Sequence, residues 1–304
     1  MITYLRSTER QPSLKELTSL QSGTWIRSER PNEGEQQLLT ALGIDSDILA
    51  DALDPHEVPR IEQEDGWTYF ITRLPDTDDD FNDYTTPILF ALGKNHIVTI
   101  SRDSQTRLWK PFIDNTKVPT AQKTKLFMLM IETISKEYQT RVASINRQMR
   151  ATTSDVRKLG SRDIVTLTNY ERKLNDYLDA LLPTNTALEK LLGGKLLPLR
   201  EDDLDLVEDL SIDLEQLIAR CKSLLRTITN FRNSYSAVMD TQLNSAIRLL
   251  TAITLAVTGP TMVINLYSMN VPIPGQHSHF AFWVIVFVGV ATSITMSYYF
   301  LRKK

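Results

Sequence analysis

Charge is absent from one long segment of this 304-residue sequence. All 37 acidic residues lie at or before Asp240, and residues 249–301 contain no Asp, Glu, Lys or Arg. Such a run of 53 residues cannot form an ordinary solvated surface. A helix crosses the hydrocarbon core of a bilayer with about 20 residues, so the run predicts two membrane-spanning helices joined by a turn. The alternative is a helical hairpin buried in a soluble core.

Cysteine and histidine are also scarce. Cys221 is the only cysteine, which excludes an intrachain disulfide and suits a reducing compartment. The four histidines and Cys221 lack zinc-binding spacing, and no glycine-rich phosphate loop follows a predicted strand. Because no catalytic set is visible, we expect a protein that is not an enzyme. We also expect that it does not bind nucleic acid. His277 and His279 fit an exterior loop better than a metal site.

Basic residues at the edges of the uncharged run predict its orientation. Arg248 precedes the run and Arg302-Lys303-Lys304 follow it, while the N-terminus lacks the apolar run of a signal peptide. Basic residues that flank membrane spans stay on the cytoplasmic side. We therefore expect a multi-pass protein of the inner (plasma) membrane, with both termini cytoplasmic and the loop 267–279 outside.

The first 118 residues predict a cytoplasmic α/β domain. Residues 1–240 contain 30 basic and 37 acidic groups, a net charge of −7, as a solvated region would. Aromatic and β-branched runs predict strands, Gly93-Lys94-Asn95 predicts a hairpin turn, and Asp76–Asp83 predicts a polar acidic loop. The predicted strands are 67–74, 87–92 and 96–101, and the predicted helices are 35–42 and 47–53.

Helical spacing replaces the strand signals after residue 118. No glycine or proline interrupts residues 201–258, so one helix is predicted to run from a stalk into the first membrane span. We expect any kink in it at Gly259-Pro260. From Asp202 to Leu266 it would measure about 97 Å, and an exposed helix of that length needs neighbours. The predicted parts are an antiparallel helical segment at 119–200, with helices at 121–155 and 162–192, a stalk helix at 201–248 and a two-helix transmembrane domain at 249–304.

The stalk helix contains an apolar heptad seam. Its members recur at alternating steps of three and four residues over more than four heptads, which predicts a continuous packing stripe. The stripe packs either against helices 121–192 of the same chain or against other copies of the chain. The seam comprises Val207, Leu210, Leu214, Leu217, Cys221, Leu224, Ile228, Phe231, Tyr235 and Val238.

One face of the first membrane span has an ordered chemistry, and we call it the predicted pore face. An amide comes first, followed by two bulky aliphatics and three hydroxyls, which could form a polar mouth, a dewetting gate and a neutral oxygen-lined passage. Mg²⁺ gives up its waters reluctantly, and such a passage could admit it with much of its hydration shell. The alternative is structural, because a threonine hydroxyl can bond the carbonyl one turn back. The face comprises Asn244, Ile247, Leu250, Thr254, Thr258 and Thr261.

The sequence resembles the CorA family of divalent-cation channels, whose signature is Tyr-Gly-Met-Asn in the loop between two terminal transmembrane helices. Here that loop contains Tyr267-Ser268-Met269-Asn270. Leu243-Asn244 and Leu249-Leu250-Thr251 lie where the family has its pore-mouth asparagine and its Leu-Thr pair. Asp54–Glu62, before a predicted strand, and Gly93-Lys94-Asn95 resemble the family's N-terminal segment and hairpin.

The resemblance implies a CorA-like funnel. It implies a homopentamer of cytoplasmic α/β domains, in which the long helix forms stalk and pore and residues 267–270 form the selectivity loop. Mg²⁺ would be both the transported ion and the regulator, with Co²⁺ and Ni²⁺ as further ions. Cytoplasmic Mg²⁺ would bind between subunits, at positions that correspond to Asp51 and Asp209, and would hold the pore shut.

Two alternatives keep the same architecture. In the first alternative, the transported ion is Zn²⁺. In the second, the protein is a membrane-anchored structural or sensory stalk that does not conduct ions. The second alternative arises because Ser268 stands where the family has glycine. A positive φ costs serine roughly 1–2 kcal/mol, so either the loop does not use that conformation or it is distorted.

Overall fold

The chain folds into two compact units. The computed structural model describes residues 1–77, 83–116, 118–153, 160–194, 196–197, 199–269 and 278–302. The first unit contains the described residues up to Asn230, and the second contains those from Phe231 onwards. The α/β region, the long helix and the two apolar C-terminal segments expected from the sequence are confirmed. The boundaries at 118, 200 and 248 stay predictions.

A seven-stranded sheet forms the centre of the first unit. Its strands are β1 (Ile2–Thr8), β2 (Gln11–Leu17), β3 (Trp25–Glu29), β4 (Arg60–Glu64), β5 (Trp67–Thr77), β6 (Asp83–Leu92) and β7 (Ile97–Ser101). The order across the sheet is β2-β1-β3-β7-β6-β5-β4. All neighbours are antiparallel except β3 and β7, which pair in parallel. The three predicted strands are β5, β6 and β7.

The predicted hairpin between β6 and β7 is confirmed. Leu92 pairs with Ile97, and the Gly93 N–H donates to the His96 carbonyl at 3.0 Å. The ring of Trp67 covers this turn so closely that a Cβ on Gly93 would lie 2.6 Å from it. Glycine is therefore needed at position 93 because of the tryptophan, since any side chain would displace that ring.

Seven helices accompany the described strands. They are α1 (Glu33–Ala41), α2 (Ser46–Leu53), α3 (Thr106–Asn115), α4 (Lys123–Thr152), α5 (Ser161–Leu192), α6 (Glu201–Tyr267) and α7 (His279–Arg302). Asn32 and Glu35 form a capping box at the start of α1, and Asp45 caps α2 by accepting from two backbone N–H groups. The four helices predicted before the stalk lie within three residues of α1, α2, α4 and α5.

Both faces of the sheet are buried, as the side chains of β5 show. Tyr69 and Ile71 belong to the apolar cluster that joins the sheet to α1 and α2. On the opposite face, the Phe70 ring lies 5.1 Å from the Phe127 ring of α4, and the Thr72 hydroxyl lies 2.7 Å from that of Thr184 on α5. A strand that is buried on both faces has a continuous apolar sequence, and for this reason β5 could be predicted.

The first four strands and α3 were not predicted from the sequence. The buried face of β1 consists of Thr3, Leu5 and Ser7, so hydroxyl residues weaken its apolar alternation. The Ser7 hydroxyl donates to the Val118 carbonyl at 2.6 Å, a partner that the strand's own sequence does not reveal. In α3, Pro111 lies inside the helix and hides its helical signal.

The first part of the heptad seam is buried within one chain. The members from Val207 to Ile228 are all buried in the first unit, and those from Phe231 to Val238 are partly buried. The Ser211 hydroxyl donates to the Asn185 side-chain carbonyl of α5 at 3.0 Å. Of the two alternatives for this stripe, packing against the chain's own helices is therefore the one found up to Ile228. The helix then continues through Gly259 and Pro260 as far as Tyr267.

Small residues join α6 to α7 in the second unit. The Ser293 hydroxyl donates to the Ala256 carbonyl at 2.8 Å. A Cβ added to Gly289 would lie 3.6 Å from the Pro260 Cα, at van der Waals contact, and Ala252 of α6 is also buried. Small side chains let two helices approach closely, which is the usual packing of helices in membranes.

The apolar C-terminal helices do not form a buried core. Each is long and apolar enough to cross a membrane by length and composition, but only 6% of the residues in its most apolar stretch are buried. Large side chains on both are exposed, among them Leu250 (65%), Phe280 (76%) and Phe287 (74%). A helical hairpin hidden in a soluble core would bury these groups, so the membrane interpretation fits and that alternative does not.

Leu217→Asp should unfold the first unit rather than only separate subunits. Leu217 is 3% exposed within one chain, and an unpaired carboxylate there should cost on the order of 3–5 kcal/mol. Thermal unfolding of the full chain in detergent measures this loss. Ile212→Asp is the matched control, because Ile212 lies on the same helix and is 45% exposed. Equal melting temperatures for the two variants would contradict the buried position of Leu217.

Candidate ion pathway

The predicted pore face points away from α7. Ala256 and Pro260 of α6 meet α7, and the buried Ala252 lies one turn earlier on the same side of the helix, again at a step of four. Neighbouring residues on an α-helix are about 100° apart, so the centre of the predicted pore face lies roughly 170° from the centre of this contact. All six residues of the face are exposed: Asn244, Ile247, Leu250, Thr254, Thr258 and Thr261.

Two threonines of the face make the bonds that the structural alternative requires. The Thr254 hydroxyl donates to the Leu250 carbonyl at 2.9 Å, and the Thr261 hydroxyl donates to the Val257 carbonyl at 2.6 Å. A hydroxyl that donates its proton keeps lone pairs that can accept. The structural explanation and the pore hypothesis are therefore compatible, because each of these oxygens can serve the helix and still face an ion's waters.

A shallow groove continues the face towards the end of α6. It has a volume of about 530 Å³. The polar side chains in it are Thr258, Thr261 and Asn265, and its other walls are apolar. Asn265 was missed by the sequence analysis, although its step of four residues from Thr261 continues the spacing of the face. The other lining residues are Val257, Met262, Leu266 and Met269.

Ser268 follows α6 directly and is not strained. Its N–H donates to the Ile264 carbonyl and its hydroxyl to the Asn265 carbonyl, both at 3.0 Å. Among the described non-glycine residues, only Arg30 and Asp65 have a positive φ. Ser268 therefore does not adopt the conformation for which glycine would be needed, and the steric reason for a distorted loop disappears.

The rest of the predicted selectivity loop is described only in part. Tyr267 is the last residue of α6, and the Met269 side chain is exposed. Asn270 and His277 lie outside the described residues, so their predicted roles stay predictions.

Arg60 contacts three carboxylates, one of which is that of Asp51. The Asp51 carboxylate on α2 lies 2.6 Å from the Arg60 guanidinium, which also contacts Glu57 and binds Glu62 at 3.1 Å. All four side chains are partly exposed, so solvent screens these pairs. Asp51 was singled out from the sequence, but its ion pair with Arg60 was not, because the pair forms only in the folded chain.

Asp209 is exposed on α6. Within the described part of the chain, no group of three or more His, Cys, Asp or Glu side chains is arranged to hold a metal ion. A site shared between two subunits would not be complete in one chain, so the pairing of Asp51 with Asp209 stays a prediction.

An open cleft of about 460 Å³ lies beside the segment before β4. Arg73 at its edge donates to the carbonyls of Pro55, Glu57 and Thr85, which ties β5 to that segment. Burial raises the pKa of Asp176, which also lines the cleft, above its ordinary value. Because the Arg73 guanidinium binds backbone carbonyls, we assign this cleft a structural role.

These features define a class of protein before any relative is considered. Two exposed apolar helices, one of them with a face of neutral polar groups, fit a membrane protein that moves ions. The sequence model of the family described as "CorA-like Mg2+ transporter protein" matches residues 21–303. The chain belongs to this family, whose members are ion transporters and not enzymes.

Two characterised relatives and one solved structure match most of the chain. The "Cobalt/magnesium transport protein CorA" of Methanocaldococcus jannaschii is 24% identical over 289 residues, 92% of this chain and 90% of the relative. The "Magnesium transport protein CorA" of Wolinella succinogenes is 23% identical over 247 residues, 78% and 75% of the two chains. The complete structure of the CorA magnesium transporter from M. jannaschii has a TM-score of 0.85 at 18% identity, covering 100% of this chain and 98% of that one. The structural likeness shows a common fold.

Arg60→Gln should increase the affinity of the predicted regulatory site for Mg²⁺. The substitution removes the cation that Asp51 now binds, so Mg²⁺ should protect the protein from proteolysis at a concentration on the order of fivefold lower. The measurement is digestion with chymotrypsin, which does not cut after arginine, at increasing Mg²⁺. The double substitution Asp51→Asn and Asp209→Asn should shift protection the other way.

Arg107→Gln is the control for this experiment, because Arg107 is exposed on α3, away from Asp51. Identical protection curves for all four proteins would remove Asp51 and Asp209 from the sensor.

Proposed function

We propose that the protein is a channel-like transporter that carries Mg²⁺ across the inner membrane as a homopentamer. The observation that carries the proposal is the uncharged, exposed face of α6 that points away from α7. Membership of the CorA-like family supports it, as do the names of the two relatives. Those names mention cobalt and magnesium, which gives the zinc alternative no support.

Oligomer formation follows from the chemistry of the second unit. The amides and hydroxyls of the predicted pore face would be costly to expose to lipid, and a ring of copies would turn them towards a shared aqueous axis. The α7 helices would then form the outer, lipid-facing layer. The number five comes from the resemblance to the family, because one chain does not specify it.

The aromatic side chains of α7 fit this membrane position. Exposed rings at Phe280, Phe282 and Trp283 lie at one end of the helix, and Tyr298 and Tyr299 lie at the other. Aromatic residues prefer the two interfaces of a bilayer, so α7 has an anchor at each boundary. The basic residues beyond Phe300 favour a cytoplasmic C-terminus, and with two spans the N-terminus lies on the same side.

In this proposal the ion passes without meeting a fixed negative charge. The lining consists of neutral oxygens, which can hydrogen-bond the waters of Mg²⁺ but bind the ion too weakly to trap it. Asn270 would form a ring at the outer mouth, where its carbonyl accepts from those waters. The driving force comes from the membrane potential, which contributes about 4.6 kcal/mol per 100 mV for a doubly charged ion.

Ile247 and Leu250 would form the gate, and cytoplasmic Mg²⁺ would control it. Two rings of aliphatic side chains can empty a narrow passage of water and so stop ions. Mg²⁺ bound between Asp51 of one subunit and Asp209 of the next would favour the closed arrangement, because the ion binds that state better. Arg60 competes with Mg²⁺ for Asp51 and sets the concentration at which closure occurs.

Leu250→Ala should increase the leak of Mg²⁺ through the closed protein. A smaller side chain at the gate widens the passage and lowers the barrier to its hydration, so leak should rise on the order of tenfold. Leu249→Ala is the matched control: the residue is adjacent and exposed, but it lies about 100° around the helix, on the α7 side. Influx into proteoliposomes at high Mg²⁺ is the measurement, and equal leak from the two variants would show that another face lines the passage.

Asn270→Ala should abolish selective Mg²⁺ transport while the fold and the oligomer persist. The amide ring is the proposed point of selection, and its loss removes an acceptor for the waters around the ion. The test is Mg²⁺ uptake into proteoliposomes that contain a Mg²⁺-sensitive dye, with native mass spectrometry to follow assembly. Uptake unchanged by the substitution would exclude the loop as the filter. A wild-type protein that takes up no Mg²⁺ would instead favour the non-conducting stalk.

A further inference from the structure

Asn265 carries a side-chain amide and lies in the last two turns of α6, within the apolar part of the helix. Its side chain is exposed, and it shares the groove with Thr258 and Thr261. Polar side chains within a membrane helix are costly in lipid, so they face protein or water. The neighbours of Asn265 along the chain, Ile264 and Leu266, are apolar. The side of α6 on which this amide lies therefore indicates which side of the helix meets protein or water.

The direction of Asn265 follows from the contact between α6 and α7. Counting about 100° per residue, Asn265 lies roughly 180° from the α7 contact and within about 10° of the centre of the predicted pore face. The α7 helix of the same chain therefore does not cover it. Asn265 extends the series of Thr254, Thr258 and Thr261 by a further turn.

Ser268 does not take the place of Asn265 in the lining. The Ser268 hydroxyl donates to the Asn265 backbone carbonyl and serves to end the helix. Between Thr261 and the loop, Asn265 thus carries the one carboxamide, and its acceptor oxygen stands about 6 Å along the axis beyond Thr261.

We propose that Asn265 forms a second ring of amides in the ion pathway, between the hydroxyls of Thr261 and the outer loop, and that it takes part in selecting hydrated Mg²⁺. The inference rests on the proposed function. The ring makes the column of neutral oxygens continuous from Thr258 to Asn265, about 10 Å, so the waters of the ion meet an acceptor at each turn. Without it, the ion would cross an apolar turn before it reaches the outer mouth.

Moving the amide around the helix tests this role. Asn265→Leu combined with Leu266→Asn keeps the composition and shifts the amide by about 100°. We expect Mg²⁺ uptake by this variant to fall on the order of tenfold, about the cost of one lost hydrogen bond to a water of the ion. Asn265→Gln should retain most of the uptake, because it keeps the carboxamide on the same face. Wild-type uptake by the Asn265→Leu, Leu266→Asn protein would overturn the proposal.

Cysteine cross-linking tests the position of the ring without any transport. The native Cys221 is buried, so new cysteines can be read separately. Asn265→Cys should form disulfide-linked dimers when membranes are oxidised with copper phenanthroline, because the ring brings copies together at the axis. Val263→Cys is the control and should stay monomeric, since Val263 lies on the α7 side of α6.

The two measurements separate the inference from the proposed function. Absence of linked dimers from Asn265→Cys would overturn the ring even if the wild-type protein transports Mg²⁺. Linked dimers together with a wild-type protein that does not transport would support the ring position and refute the transport function. Transport that survives the amide shift would refute the role of Asn265 in selection and leave the proposed function standing.

Discussion

Hydrocarbon offers no hydrogen-bond partners, and the second unit depends on this constraint. Helices satisfy their own backbone groups, and hydroxyls of the spans donate to the remaining lone pairs of backbone carbonyls. Thr254 donates to the Leu250 carbonyl, and Ser293 donates to the Ala256 carbonyl of the neighbouring helix. A side-chain amide has donors and an acceptor together, and a helix cannot satisfy both. Asn244 and Asn265 lie on one exposed face of α6, and in the proposed arrangement that face meets water.

The contact between α6 and α7 determines which side of α6 is covered within one chain. Ala252, Ala256 and Gly289 leave room for the two helices to approach closely. Because α7 covers one side of α6, it leaves the opposite side for other copies of the chain or for water. The same small residues that make the hairpin compact thus decide which side of α6 is uncovered.

Much of the fold could be predicted from sequence where a pattern has one physical cause. Strand β5 is buried on both faces, so its apolar run needed no partner to be recognised, and the predicted pore face depends only on the helical repeat. The seam from Val207 to Ile228 was also visible, but its partner was not, since an apolar stripe fits the chain's own helices or another copy equally well. Burial within one chain decided this question.

Other features needed the folded chain because their causes lie far apart in sequence. Ser7 of β1 is buried and its hydroxyl donates to the carbonyl of Val118, which lies 111 residues further along the chain. The contact of Arg60 with Asp51 is nearer in sequence, but it too appears only in the folded chain. Ser268 shows the limit of arguing from one substituted residue in a motif. The serine stands where the family has glycine, yet its backbone is not left-handed and its hydroxyl caps the helix. The suspected cost of serine therefore does not arise.

The threonine bonds within α6 have a consequence for the sign of the ions that the proposed pathway admits. A free hydroxyl can turn and offer its proton, and then it would stabilise chloride as readily as a cation's water. The hydroxyls of Thr254 and Thr261 have already given their protons to backbone carbonyls, so only lone pairs remain to face the axis. In the proposed pathway these two oxygens would therefore favour the waters of a cation over an anion. A pathway without a single carboxylate can in this way be selective for positive charge.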